Sequence, residues 1–117
     1  LENIKHSRAF NTSRAYKSDF RDFAIFCNKL NKNPIRSEAK DISLYLTKLS
    51  KENLKFSTIK RRLVSIVIAN RLKGHHIDTK HPIINDNLKS IYYFFLTNIL
   101  VEVFAIHNQH QSQHQIL

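Results

Sequence analysis

Apolar positions recur at helical spacing in four stretches of the chain. In the first, "TSRAYKSDFRDFAIFCNKL", Tyr16, Phe20, Phe23, Cys27 and Leu30 follow one another at three and four residues, which lines one face of a helix. Asn11 or Thr12 is placed to cap its start, because a short side-chain oxygen accepts from the free amides of a first turn. "NKNPI" ends it: Asn31 and Asn33 favour turns, and Pro34 cannot continue a helix. The second stretch, "SEAKDISLYLTKLSKEN", has Ser37 as N-cap, Glu38 at the positive helix end, and Ile42, Tyr45, Leu46 and Leu49 as its apolar face. The third, "STIKRRLVSIVIANRLKG", is capped by Ser57 and stopped by Gly74. Its half "LVSIVIAN" is apolar nearly all round, as in a helix buried among others. Pro82 breaks a connector, and "NDNLKSIYYFFLTNILVEVF" follows, with Asn85 as cap and Leu88, Ile91, Tyr92 and Phe95 as stripe. This fourth helix reaches as far as Ala105, although the β-branched and aromatic residues after Tyr92 also suit a strand. The tail "HNQHQSQHQIL" is polar, low in complexity and expected to fray. The pattern predicts an all-α chain, a compact bundle of four to five helices with short connections. Residues 1–95 form its domain, and 96–117 a helical extension with a flexible His/Gln tail.

Composition agrees. One Gly and two Pro in 117 residues are too few for the turns of a sandwich or a doubly wound sheet, and 42% apolar residues suit a single globular domain. Cys27 is the only cysteine, so no disulfide forms within the chain, which suits a reducing compartment. Apolar runs such as "IYYFFL" fall short of the ~20 residues that span a bilayer, and no signal peptide is visible. A first residue Leu and no Met point to a fragment or a processed chain.

Charge changes the picture further. Nineteen Lys and Arg face nine Asp and Glu, a net charge of +10. That favours a polyanionic partner, nucleic acid before acidic membrane, over a merely solubilising surface. Projection at about 100° per residue sorts the basic positions. On the first helix Arg14, Lys17 and Arg21, with Ser18, share a face away from Tyr16, Phe20 and Phe23, while Asp19 and Asp22 lie to one side and can pair locally with it. On the third, Ile59, Leu63, Ile66, Val67 and Asn70 make the core stripe. Arg61 points away from them with Ser57 and Ser65, and Lys60 and Arg62 flank the stripe with their charges in solvent. Between Glu52 and Asp78 there is no acid, so this zone is basic without neutralisation. The free amides and hydroxyls of Ser57 and Thr58 suit a phosphate oxygen, although capping alone would use the same groups.

These residues carry a resemblance. "NTSRAYKSDFRDFAIFCNKLN", "DISLYLTKLSKENLKFSTIKRRLVSIVIANRLKG" and "HPIINDNLKSI", in that order, resemble the N-terminal core-binding domain of tyrosine recombinases, the phage integrase family, over residues 7–92. The resemblance rests on Thr12 with Tyr16, Phe20, Phe23 and Phe26, then Asp41-Ile42 with Tyr45-Leu46. It also rests on Ser57-Thr58-Ile59 followed by Leu63, Ile66 and Gly74, with Pro82 and Leu88 behind. It implies a SAM-like helical bundle that forms one half of a clamp around duplex DNA. By position, Arg14, Lys17, Ser18 and Arg21 of the first helix and Ser57, Thr58, Lys60, Arg61 and Ser65 of the third would face the DNA. The family's chemistry needs a second domain with Arg, Lys, His-x-x-Arg and a nucleophilic Tyr, which attacks a phosphate whose developing charge the cations stabilise. His75, His76 and His81 lack the following Arg, and Tyr92 and Tyr93 read as core or interface. After Tyr92 the likeness stops.

The implied function is sequence-directed duplex DNA binding by the core-binding half of a site-specific recombinase. No catalysis by this chain alone, no cofactor and no metal are expected. The resemblance implies a bacterial or phage-encoded protein of the cytoplasm, associated with the nucleoid. His75, His76 and His81, or His107, His110 and His114, make a poor metal site without a carboxylate or thiolate nearby. Cys27 reads as a small core residue. "IYYFFLTNILVEVF" exceeds the needs of a last bundle helix and offers a docking surface for other recombinase protomers or a missing domain, with core packing as the plain alternative. The rival functions are a helical protein–protein interaction module, a truncated integrase remnant, and a basic membrane-surface protein. Basic residues spread over separate helices disfavour the last of these.

Overall fold

The computed structural model of the chain describes residues 7–116, with side chains to residue 111. It consists of α1 (Arg8–Lys29), α2 (Ala39–Lys51), α3 (Phe56–Leu72) and α4 (Pro82–Ile116), with no strand among the described residues. All four predicted helices form, but each begins elsewhere than expected. Ser7, not Asn11 or Thr12, caps α1, its Oγ accepting from the Phe10 N–H at 3.1 Å. Glu38 occupies the N-cap of α2 without a capping bond, and the Ser37 hydroxyl donates instead to the Pro34 carbonyl. Lys55 precedes α3, so Ser57 is its second helical residue and caps nothing. α4 starts on Pro82, whose missing N–H costs little at a first helical position, and Asn85 lies inside the helix. Near that start the His81 Nδ1 accepts from the Ile83 N–H at 3.2 Å.

The C-terminal ends follow a common device. Asn31 (φ 57°) closes α1, with the Lys32 N–H on the Cys27 carbonyl at 2.9 Å. Gly74 (φ 79°) closes α3, with the His75 N–H on the Asn70 carbonyl at 2.9 Å. Both use left-handed residues, which Gly and Asn adopt at least cost.

The core is built from all four helices. Phe23 and Cys27, Ile42, Tyr45, Leu46 and Leu49, Ile59, Leu63 and Ile66, and Ile84 and Ile91 are all buried. α1 packs along α3, and α2 along α4. The Phe23 and Tyr45 rings meet edge to face at 5.0 Å. Asn70 is fully buried: its Oδ1 accepts from the Arg36 N–H at 2.6 Å, and its Nδ2 donates to the Ile66 carbonyl at 2.9 Å. It thereby ties the loop between α1 and α2 to the end of α3. Asn87 does the same for α4, donating to the Ser43 carbonyl at 2.9 Å and the Thr47 hydroxyl at 3.0 Å of α2.

α4 departs most from expectation. It is helical through the Tyr92 region, where a strand was also possible, and through residues 107–116, where fraying was expected. No Gly or Pro follows Pro82, and each further residue adds a backbone bond to a nucleus already formed. Only its first half is packed. Ile84, Leu88, Ile91 and Phe95 reach the core, whereas Tyr92 and Tyr93 are 43% and 64% exposed and are not core residues. The rest is an arm, and the molecule is 65 Å long with a radius of gyration of 19.1 Å, against about 13 Å for a compact chain of this length.

Candidate nucleic-acid interface

The four outward positions of α1 are where the helical period puts them. Arg14, Lys17, Ser18 and Arg21 are exposed, and none of the three cations has an ion-pair partner among the described residues. Asp19 and Asp22, expected to pair with that stripe, turn instead to α3. The Asp19 carboxylate, only 5% exposed, accepts from Arg61 Nε at 2.8 Å and Nη2 at 3.2 Å. Asp22 Oδ2 accepts from Arg62 Nη1 at 2.7 Å and from the Tyr45 hydroxyl at 2.7 Å. Arg62 Nε has no hydrogen bond and lies 3.8 Å from Asp19 Oδ1.

This network corrects three side-chain placements on α3. Arg61 does not stand free on an outer face: it grips α1, leaving its side chain 48% exposed. Arg62 does not reach solvent with its charge, since its side chain is 21% exposed. Ser65 is 2% exposed, and its hydroxyl donates to the Arg62 carbonyl at 2.6 Å. The reason is common to all three. The side of α3 opposite its core stripe is covered by α1, so pointing away from the stripe does not mean pointing to solvent. Ser57 and Lys60 are exposed and Thr58 is half-buried, and the Lys60 ammonium sits 5.9 Å from the centroid of the Phe56 ring. The first helical bond of α3 runs from the Ile59 N–H to the Lys55 carbonyl, which leaves the amides at its tip available.

Burial works against the charge of Arg62, but the Tyr45 hydroxyl and the carboxylates of Asp22 and Asp19 outweigh it and hold its pKa above the ordinary value. Tyr45 is pushed up, first by burial and then by its bond to Asp22, against the opposing pull of Arg62. The network is therefore a fixed ionic clasp between α1, α2 and α3. The sequence carried one sign of it: Asp19 and Asp22 are three apart at the edge of the α1 stripe, and Arg61 and Arg62 are adjacent. The clasp also brings the two candidate sets together, because Ser18 adjoins Asp19 and Ser57 lies one turn before Arg61.

Beyond the clasp, α1 and α3 diverge around a groove of about 660 Å³ lined chiefly by Tyr16, Phe20, Ile68, Ala69 and Leu72, with Lys17 on its border. Among the described residues no three His, Cys, Asp or Glu side chains converge as a metal site.

The family model described as phage integrase, N-terminal SAM-like domain matches residues 2–67. No curated protein and no solved structure matches. The matched span holds α1, α2, the first two-thirds of α3 and every candidate contact residue, and stops short of α4. With the four-helix, strand-free fold, the match over more than half of the chain identifies it: the protein belongs to the family of phage integrase N-terminal SAM-like domains.

Proposed function

We propose that the chain binds duplex DNA in a sequence-directed manner, as the core-binding half of a site-specific recombinase, and does not cut DNA by itself. The observation that carries this reading is the unpaired basic stripe of Arg14, Lys17 and Arg21 on α1, left without neutralisation because Asp19 and Asp22 are taken up by Arg61 and Arg62. Cations fixed on one helix face at a spacing of one turn match the phosphate oxygens along a groove edge. Ser57, Thr58 and Lys60 at the tip of α3 add hydroxyls, free amides and one further charge. Arg61 serves as an anchor between helices first, with only its outer edge left for a phosphate. Ser65 is withdrawn from the contact set, because it is buried.

Anisotropy of a fluorescent duplex, titrated at two salt concentrations, tests the proposal. Affinity should fall steeply with salt, with a log–log slope of about −0.9 for each phosphate neutralised. Replacing Arg14, Lys17 and Arg21 together by Glu should abolish binding while leaving the helical circular dichroism intact. Binding that is absent, or indifferent to salt, sinks the reading. Selection from a random duplex pool tests sequence direction, and failure to enrich any site would reduce the function to general DNA affinity.

A further inference from the structure

A second cleft opens where the start of α3 meets the first half of α4. Its volume is about 460 Å³, within the usual range of small-ligand sites. One wall is aromatic. The Phe56 and Tyr92 rings lie 5.1 Å apart between centroids and the Tyr92 and Tyr93 rings 6.0 Å apart, each pair tilted. Rings already in contact leave no slot between them, so a planar ligand lies against an outer ring face. Tyr92 and Tyr93 offer such faces, being 43% and 64% exposed.

The rest of the cleft is polar and basic. Lys60 and Lys89 border it, both exposed, and neither has an ion-pair partner among the described residues. The Lys60 ammonium stands 5.9 Å from the Phe56 centroid, within range of the ring's negative face. Asn85 adds an amide, half-buried and without a side-chain hydrogen bond among the described residues. No carboxylate lines the cleft. Each feature limits the occupant. A purely apolar segment would cover two ammonium groups and an amide without satisfying them. A bare phosphate would leave the rings in water. A nucleotide meets all of these groups, with a flat face for a ring, a hydrogen-bonding edge for the amide and a phosphate for the lysines.

We propose that this cleft holds an unpaired nucleotide of a single DNA strand. The base stacks on Tyr92 or Tyr93, Asn85 meets its edge, and Lys60 and Lys89 take the flanking phosphates. A strand fits better than a free nucleotide because Lys60 belongs also to the tip of α3, where the Ser57 and Thr58 hydroxyls and amides suit a further phosphate. The next phosphate of a strand reaches that tip, whereas a free nucleotide fills the cleft alone. Lys60 is shared with the duplex surface proposed above but the rings are not, so the two readings fail separately.

Anisotropy of a labelled oligothymidine of about ten nucleotides tests the proposal, against an abasic strand of the same length that has the phosphates without the bases. The full chain should prefer the oligothymidine by at least about 10-fold, the worth of one stacked base. Tyr92→Leu with Tyr93→Leu should erase that preference and leave duplex affinity unchanged. Tyr93→Ala alone, at the more exposed position, should narrow the preference, and it serves where the double variant fails to fold. Equal affinity of the full chain for the two strands overturns the proposal, as does a preference that survives loss of the rings in a folded chain. An equal fall in duplex affinity also overturns it, because the rings would then serve the duplex surface. Thymidine monophosphate that binds as tightly as the strand would make a free nucleotide the occupant, and a Glu–Tyr peptide that binds more tightly would make it an acidic protein; either result defeats the assignment. Glu in place of Arg14, Lys17 and Arg21 should abolish duplex binding yet keep the preference for oligothymidine over the abasic strand, which tells failure of the duplex reading from failure of this one.

Discussion

Arg61 donates two hydrogen bonds to Asp19, and Asp19 is almost wholly cut off from water. The value of this pair lies in that burial. Half of Arg61 is exposed, so the direct attraction is screened, but a carboxylate left at 5% exposure without these donors keeps only Arg62 Nε nearby, at 3.8 Å and beyond hydrogen-bond reach. Arg61→Ala should therefore lower stability by about 2 kcal/mol in urea unfolding, with Asp19→Ala and Arg61→Ala together costing less than the sum of the single changes. A loss of DNA affinity in an Arg61 variant must be read against this instability, so the α1 stripe is the cleaner place to test recognition. A second residue-scale effect concerns alkali. Burial, followed by the charge of Asp41, raises the Cys27 thiol from 9.0 to about 11. A neutral acid whose folded pKa lies above its unfolded value contributes stability that is complete below the unfolded pKa and is lost as pH rises through the folded one. Tyr45, raised from 10.0, acts in the same direction. Unfolding free energy should thus be level up to about pH 9 and decline above it. Cys27→Ala should flatten the first part of that decline; a decline of unchanged onset and slope would exclude Cys27 as its source.

At the scale of the element, Gly74 shows what ends α3. A Cβ added there would meet nothing within 4 Å, so space is not the constraint. The constraint is φ at 79°, which disfavours an L side chain, and Gly74→Ala should cost about 1 kcal/mol in thermal or urea unfolding with no change in fold. Gly74 was legible as a stop because a lone glycine after an apolar helix has few other meanings. The starts were less legible. Ser7, Asn11 and Thr12 can all cap, and the choice among them depends on where the first turn packs, which local chemistry does not state. The apolar stripes were legible because a core-facing side repeats on one helix. The contact faces were only half so. For α1, with one packed side, the projection placed Arg14, Lys17 and Arg21 correctly in solvent. For α3, packed on α1 as well as α2, it failed at Ser65 and Arg62, and it did not foresee the bond that ties the exposed Arg61 to Asp19. Small Ser65 and Ala69 on the far side are the trace of that second contact, and they read as a polar outer face when the helix is considered alone.

At the scale of the molecule, the fold divides between a body that ends with Phe95 and an arm that, among the described residues, adds none to the core. The expected partition into 1–95 and 96–117 leads to a direct proposal: a chain ended after Thr97 keeps every buried side chain and every bond of the clasp. Its thermal midpoint should lie within a few degrees of the full chain's. The stripe proposed to contact DNA lies on α1, so this shorter chain should also bind a duplex just long enough for one body as tightly as the full chain does. A markedly weaker affinity in the shortened chain would place part of the contact surface on the arm. A shortened chain that unfolds would instead place part of the stability in the arm, although no described residue beyond Phe95 belongs to the core.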